Sequence, residues 1–297
     1  MVLRLFIILS AVCLVASCIP SKESADRTFR DDLCVGPYPS YWDHPSNTPA
    51  ASTDARAFHL SQNFPKSLPV KEALPWKNIR LFEPGLTQVQ RDVRAKQYLE
   101  ALLAYVKEGN VGAKSVEDDF DVCRNHRRDW FHVPWMDANP SLGREYMHGL
   151  TRELTASRKK LAPTQTERES TWAVGMYNAT GAYTIGKIFP GKNKLDVAIP
   201  EDNIRFHDGT VVAKLLFTSA SVAAVPYLDG APQWTANIPD PGCDKITVCE
   251  RDECARSPHK LRLVQLDIAV VDEDAPLRWV FGTFVYVGTG SNKGWDA

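Results

Sequence analysis

The chain has 297 residues, 44% of them hydrophobic and 10% aromatic, with a net charge of −1 and a pI of about 6.7. That balance gives no electrostatic footprint for nucleic acid and no polybasic patch for a membrane surface, so DNA and RNA are excluded as partners. The apolar content suffices for a large core, and a β-rich chain of this length can fold as one domain.

Residues 1–4 carry one positive charge, and 5–15 form an apolar run too short to span a bilayer. The run ends in Val15-Ala16-Ser17-Cys18. These residues resemble the lipobox of bacterial lipoproteins, small residues placed directly before a cysteine. The resemblance implies a signal peptide over 1–17, lipidation of Cys18, and a membrane partner reached through its acyl chains. An ordinary secretory signal with Cys at its cleavage site is the alternative. Residue 19 is Ile rather than the Asp that marks inner-membrane retention in enteric bacteria. The expected location is therefore the outer membrane, with the protein facing the periplasm.

Residues 18–76 are rich in Pro, Ser, Asp and Asn and lack periodicity. They read as a tether that clears the headgroups, followed by an irregular segment held by aromatics. The remainder, 77–297, reads as one α+β domain with a helical part over 87–160 and a β part over 171–287. The clearest helix is 87–107, capped by Thr87 and stopped by Gly109, with Val89, Val93, Leu99, Leu102, Leu103 and Val106 as its apolar stripe.

Residues 118–153 gather His126, His132, His148, Asp129 and Asp137 among the aromatics Trp130, Phe131 and Trp135. A helix over 143–154 would align Arg144, His148 and Arg152 at i, i+4 and i+8, a cationic rail suited to a carboxylate or phosphate. The competing account pins a loop with the aromatics and pairs the arginines with Asp and Glu. A metal site from His126, Asp129 and His132 fits no dominant spacing, so no metal is assigned.

From residue 171 the pattern turns β. Strands over 171–177 and 182–189 flank Asn178-Ala179-Thr180-Gly181, which reads as a hairpin loop; Asn178 also heads a glycosylation sequon, discounted beside a bacterial lipobox. The segment 205–217 opens on the turn His207-Asp208-Gly209 and runs into a strand. Val211, Ala213, Leu215 and Phe217 share one of its faces, and Val212, Lys214 and Leu216 share the other. In the strand 261–271, Val264, Leu266, Ile268 and Val270 form an apolar face opposite Leu263, Gln265, Asp267, Ala269 and Val271. The strand 278–287 contains Gly282, which suggests a bulge or a close backbone approach. Trp295, after a Gly-rich turn, reads as the start of another strand before an abrupt end. Ser219 and Ser221 sit in no nucleophile motif.

Seven cysteines fit an oxidising compartment. With Cys13 lost and Cys18 lipidated, Cys34, Cys123, Cys243, Cys249 and Cys254 remain as candidates for two disulfides and one free thiol, one disulfide being local to 243–254. Paired Cys-x-x-Cys spacing for zinc is missing, as is Cys-x-x-Cys-His for covalent haem.

The segments TIGKIFP and FHDGTVVAKLLF together resemble the strand–turn–strand of the cytochrome P460 and cytochrome c′-β group. His207-Asp208-Gly209-Thr210 and Lys214 match its turn and lysine. The likeness implies an antiparallel β architecture, while that group's haem-binding motif is missing here. The expected fold is a twisted antiparallel sheet or partly closed barrel of about six strands with the 87–107 helix packed on it. Lys187, Lys214, Gln265, Asp267 and Thr283 would then point into a shared interior and pair with each other or with a ligand.

Two functions follow. The first is a lipid-anchored envelope protein that binds a small molecule or partner without turnover, through His132, Arg144, His148, Arg152, Lys214, Gln265 and Asp267. The second is a periplasmic redox or hydrolytic enzyme that uses His132, His148 and Lys214 around a non-covalent, haem-like cofactor. No cofactor is assigned.

Overall fold

The computed structural model describes residues 60, 63–70, 72–109, 125, 127–132, 144–145, 150–189, 204–240, 256–288 and 294–296. Cys18, His126 and His148, together with the candidate disulfide residues Cys34, Cys123, Cys243, Cys249 and Cys254, lie outside them. The fold is α+β: among the described residues, two α-helices and a curled, antiparallel half-barrel sheet. Among the described residues no helix is long and apolar enough to cross a membrane.

Helix α1 (Gln88–Lys107) begins at a capping box in which Thr87 and Gln90 satisfy each other's backbone N–H. It ends at Glu108, followed by Gly109 at φ +82°, the left-handed geometry that glycine adopts freely. Its inward face is Tyr98, Leu102, Tyr105 and Val106. The expected stripe holds only over this C-terminal half. Val89 and Val93 stay exposed.

Nine strands follow among the described residues: β1 (Trp130–His132), β2 (Arg144–Glu145), β3 (Leu150–Arg152), β4 (Thr171–Asn178), β5 (Val211–Thr218), β6 (Gln233–Pro239), β7 (Arg256–Val271), β8 (Trp279–Val287) and β9 (Gly294–Asp296). The sheet order is β2-β3-β4-β5-β7-β8-β9, with β1 paired to β4 and β6 to the first half of β7. Alternation puts Val211, Ala213, Leu215 and Phe217 into the core against Trp172, Val174, Met176, Leu266, Ile268 and Val270, with α1 closing that inner side. Leu60 and Trp76, from the segment read as irregular, reach the same core.

Three local expectations are corrected. Residues 182–189 are not a strand but part of α2 (Ala179–Ile188). Asn178 is its N-cap, accepting from the Gly181 amide at 3.0 Å, so the supposed hairpin loop is a strand-to-helix junction. The run is short enough to satisfy both periods: Ala182 and Ile185 fall three residues apart and pack with Phe64 and Phe131.

Residues 144–145 and 150–152 are strands rather than one helix, because Thr151 and Arg152 are claimed by pairing with Ala173 and Trp172. In β7, Leu263 is buried in the core instead of sharing a face with Gln265. A bulge opposite Leu216 and Phe217 lets both Leu263 and Val264 turn inward. Gly282, by contrast, lies in unbroken register with Ile268. What approaches it is the Leu99 side chain of α1, whose Cδ2 would lie 2.5 Å from an added Cβ.

Candidate functional site

The polar residues read as a shared interior face the other way. Lys214, Gln265, Asp267 and Thr283 lie on the outer side of the sheet, opposite α1 and partly open to solvent. The inward direction is filled by the apolar half of each strand, which leaves no interior for them. Lys187 is elsewhere, on α2, with its ammonium 4.5 Å above the Tyr183 ring.

Register assembles this outer face in rows across four strands. Gly175, Lys214, Asp267 and Thr283 stand side by side on β4, β5, β7 and β8. The neighbouring row is Tyr177, Val212, Ala269 and Phe281, and the next on the other side is Ala173, Leu216, Gln265 and Val285. Lys214 reaches Glu153, just beyond β3, at 2.9 Å. Asp267 accepts from Gln265 Nε2 and from Thr283 Oγ1, both at 2.7 Å and both on Oδ1.

An aromatic chain borders these groups. Tyr177 stacks on Phe206 at 5.7 Å, Phe206 meets Trp279 edge-on at 5.5 Å, and Trp279 stacks on Phe281 at 6.1 Å. Phe281 ends the chain and is 73% exposed. Ala269 in the aromatic row and Gly175 in the polar row add little side-chain bulk and keep the sheet surface low there.

The other sequence-predicted residues do not join this face. His132 is 1% exposed, opposite Met176 and therefore on the core side, whereas Lys214 lies opposite Gly175 on the outer side. The two described members of the enzyme reading are thus on opposite faces. Arg152 is half-buried on β3 opposite Trp172; the backbone of Arg144 stands opposite Thr151. The i, i+4, i+8 rail does not form, because two antiparallel strands replace the helix that would have aligned it.

Two polar knots escaped sequence reading, since each joins segments far apart in the chain. In the first, Lys77 Nζ lies 2.7 Å from Asp208 and 3.3 Å from Asp272, and Tyr98 donates to Asp272 at 2.7 Å. Asp272 is 1% exposed. Burial alone would lower the Lys77 ammonium's pKa, but the bond to Asp208 and the nearby charges of Asp272 and Asp208 outweigh it and hold it above its ordinary value. Burial and then the Asp272 bond push the Tyr98 phenol up. A cleft of about 290 Å³ opens beside this knot, lined by Trp76, Arg80, Phe82 and Glu83 among others. Its ionic groups already satisfy one another, so the knot reads as a tie between α1, the 3-10 turn Pro75–Ile79 and the β7–β8 turn.

In the second knot, the Arg128 guanidinium covers the Tyr105 ring at 3.5 Å and bonds Glu72 and Glu108. Tyr105 in turn donates to Glu72 at 2.9 Å and accepts from Asn178 at 3.0 Å.

Ser257, His259 and Asp240 have the composition of a hydrolytic triad but not its geometry. Ser257 Oγ and Asp240 Oδ1 both meet the same His259 nitrogen, Nε2, at 2.9 and 3.0 Å. A relay needs the acid on one ring nitrogen and the nucleophile on the other. Among the described residues no group of three or more His, Cys, Asp or Glu is placed to hold a metal ion. No family model, curated protein or solved structure matched the chain.

Proposed function

We propose that the protein is a lipid-anchored component of the bacterial envelope that binds a small ligand on the outer face of its sheet, without turnover. The anchor is supported by the sequence Val15-Ala16-Ser17-Cys18 behind a short apolar run, and by Ile19 for outer-membrane sorting. The binding half is carried by one observation, the chain of aromatics that ends at the exposed Phe281, in the row next to that of Lys214, Asp267 and Thr283. Aromatic surface and oriented polar groups on a rigid sheet are what a small-molecule site requires, and a solvated sheet face has no structural need for the exposed ring. The five cysteines other than the lipidated Cys18 are read as two disulfides and one free thiol, one disulfide local to 243–254, in an oxidising compartment.

The anchor is tested by metabolic labelling with a fatty-acid analogue, which should tag the wild type and not Cys18→Ser. The site is tested by a thermal-shift screen of the mature protein against periplasmic small molecules. A ligand that raises the melting temperature of the wild type but not of Phe281→Ala supports the reading. Stabilisation that is indifferent to Phe281→Ala in every case sinks it.

A further inference from the structure

We infer that the outer face is built for an alkylammonium ligand, seated between the free oxygen of Asp267 and the open side of the Phe281 ring. The inference rests on the binding reading above and narrows it to one charge class.

The first support is the state of Asp267. Both of its hydrogen bonds come from neutral donors, Gln265 and Thr283, and both fall on Oδ1. Oδ2 makes none, yet it is not a buried orphan, so it reaches the surface. The cation directly across the ladder, Lys214, is turned to Glu153 at 2.9 Å. Asp267 is therefore a carboxylate fixed in orientation by two donors and left, among the described residues, without a positive partner. A carboxylate held this way attracts a cation at its free oxygen, because its neutral donors leave the charge uncompensated.

The second support is the attitude of the Phe281 ring. Trp279, two residues before it, covers one side at 6.1 Å with an interplanar angle of 20°. Thr283, two residues after it, stands beside Asp267 in the next row. The uncovered side of the ring therefore turns toward the Thr283–Asp267 row. Asp267 is the diagonal cross-strand neighbour of Phe281, and such neighbours stand roughly 7–8 Å apart. An ammonium needs about that gap, since it sits within ~6 Å of a ring centroid and can touch a carboxylate oxygen at the same time. Ala269, opposite Phe281, contributes only a methyl to the floor and leaves room for alkyl groups.

The probes are choline and its uncharged isostere 3,3-dimethyl-1-butanol, titrated into the mature protein and followed by ligand-observed NMR. Choline should bind at least tenfold more tightly than the isostere. Asp267→Asn should erase that difference, and Phe281→Ala should weaken choline at least threefold. Both side chains face solvent, and unchanged thermal midpoints would show that the variants remain folded. No choline binding, equal binding of choline and isostere, or wild-type affinity in Asp267→Asn would each overturn the charge assignment. Tight binding of the isostere that Phe281→Ala abolishes would do so while leaving the outer face a ligand site. Loss of the broader reading would instead show as Phe281 indifference across the thermal-shift screen.

Discussion

Lys214 and Asp267 stand directly opposite each other on β5 and β7, and each is bonded to something else. Lys214 takes Glu153, and Asp267 takes Gln265 and Thr283. The sequence leaves the two to pair with each other or to face a ligand in a shared interior, and a buried mutual pair is a case in which removing one partner costs about 3–5 kcal/mol. The Lys214 side chain is 38% exposed, so water screens both charges. Lys214→Met and Asp267→Leu should each cost less than about 1 kcal/mol, with a coupling below about 0.5 kcal/mol in the double variant. Urea unfolding of the four proteins measures this. A coupling near 2 kcal/mol would return the two to a buried mutual pair.

Alkaline stability is set by groups around α1. Tyr105 is pushed from 10.0 up to about 12, by burial first and by Glu72 against the opposing pull of the Asn178 bond. Tyr98 and Lys77 are raised as well. A raised folded-state pKa means that the unfolded chain loses its proton first as pH climbs. The stabilisation is therefore complete below pH 10 and falls as pH rises between the ordinary tyrosine value of 10.0 and about 12. Tyrosinate absorbance should show these two phenols ionising only as the protein unfolds. Tyr98→Phe should flatten the fall; an unchanged slope would remove the Asp272 knot from the explanation.

Asn178 joins four segments through one side chain that is 3% exposed. Its oxygen accepts from the amides of Gly181 and Val211, both at 3.0 Å, and its nitrogen donates to Tyr105 at 3.0 Å and to the Gly209 carbonyl at 2.9 Å. Both amide hydrogens are used and enclosed, which also explains why the sequon beginning there is unfit for a glycan. Asn178→Ala strands two N–H groups and a carbonyl and removes a helix cap, and should cost about 3 kcal/mol or more. Asn178→Asp keeps the acceptors but sets a carboxylate against the Gly209 carbonyl, so it should rescue less than half of that loss. Denaturant midpoints compare the two, and an Asp variant of wild-type stability would contradict the donor half of the network.

What could be read from the chain divides along the range of the interactions. The alternation of Val211, Ala213, Leu215 and Phe217 announced which side of β5 is core, because a period of two needs only local information. The bulge that turns Leu263 inward is invisible in LRLVQLDIAVV, since it arises from pairing with Phe217 more than forty residues earlier. For α2 the deciding evidence was the cap bond from Asn178, and periodicity alone could not supply it. Lys214, Gln265 and Asp267 were found because charged residues among apolar neighbours stand out. Their surroundings were misread, because alternation separates an apolar face from a polar one but does not say whether the sheet closes around the polar face or leaves it to solvent. Glu153 and the aromatics Tyr177, Phe206, Trp279 and Phe281 come together only through the register of separate strands and the course of residues 204–210.

Gly282 and Leu99 form a close seam between sheet and helix. A Cβ at residue 282 would lie 2.5 Å from Leu99 Cδ2, about an ångström inside ordinary contact, and Leu99 is itself packed against the core. Alanine in a strand is better than glycine by about 0.5–1 kcal/mol through backbone entropy, so two effects oppose each other here. Overpacking costs about 1–3 kcal/mol where neighbours cannot withdraw, and Leu99 is backed by buried side chains. The clash should win, and Gly282→Ala should be net destabilising. Leu99→Ala alone opens a void, with a cost near the lower end of the ~2–5 kcal/mol range because the side chain is only partly buried. In the double variant the new methyl takes space that Leu99 gives up, so the combined loss should fall short of the sum by about 1 kcal/mol or more. Thermal and urea unfolding of the set decides it. A Gly282→Ala protein as stable as the wild type would mean that Leu99 swings aside freely, and that the glycine is not what lets α1 sit this close to β8.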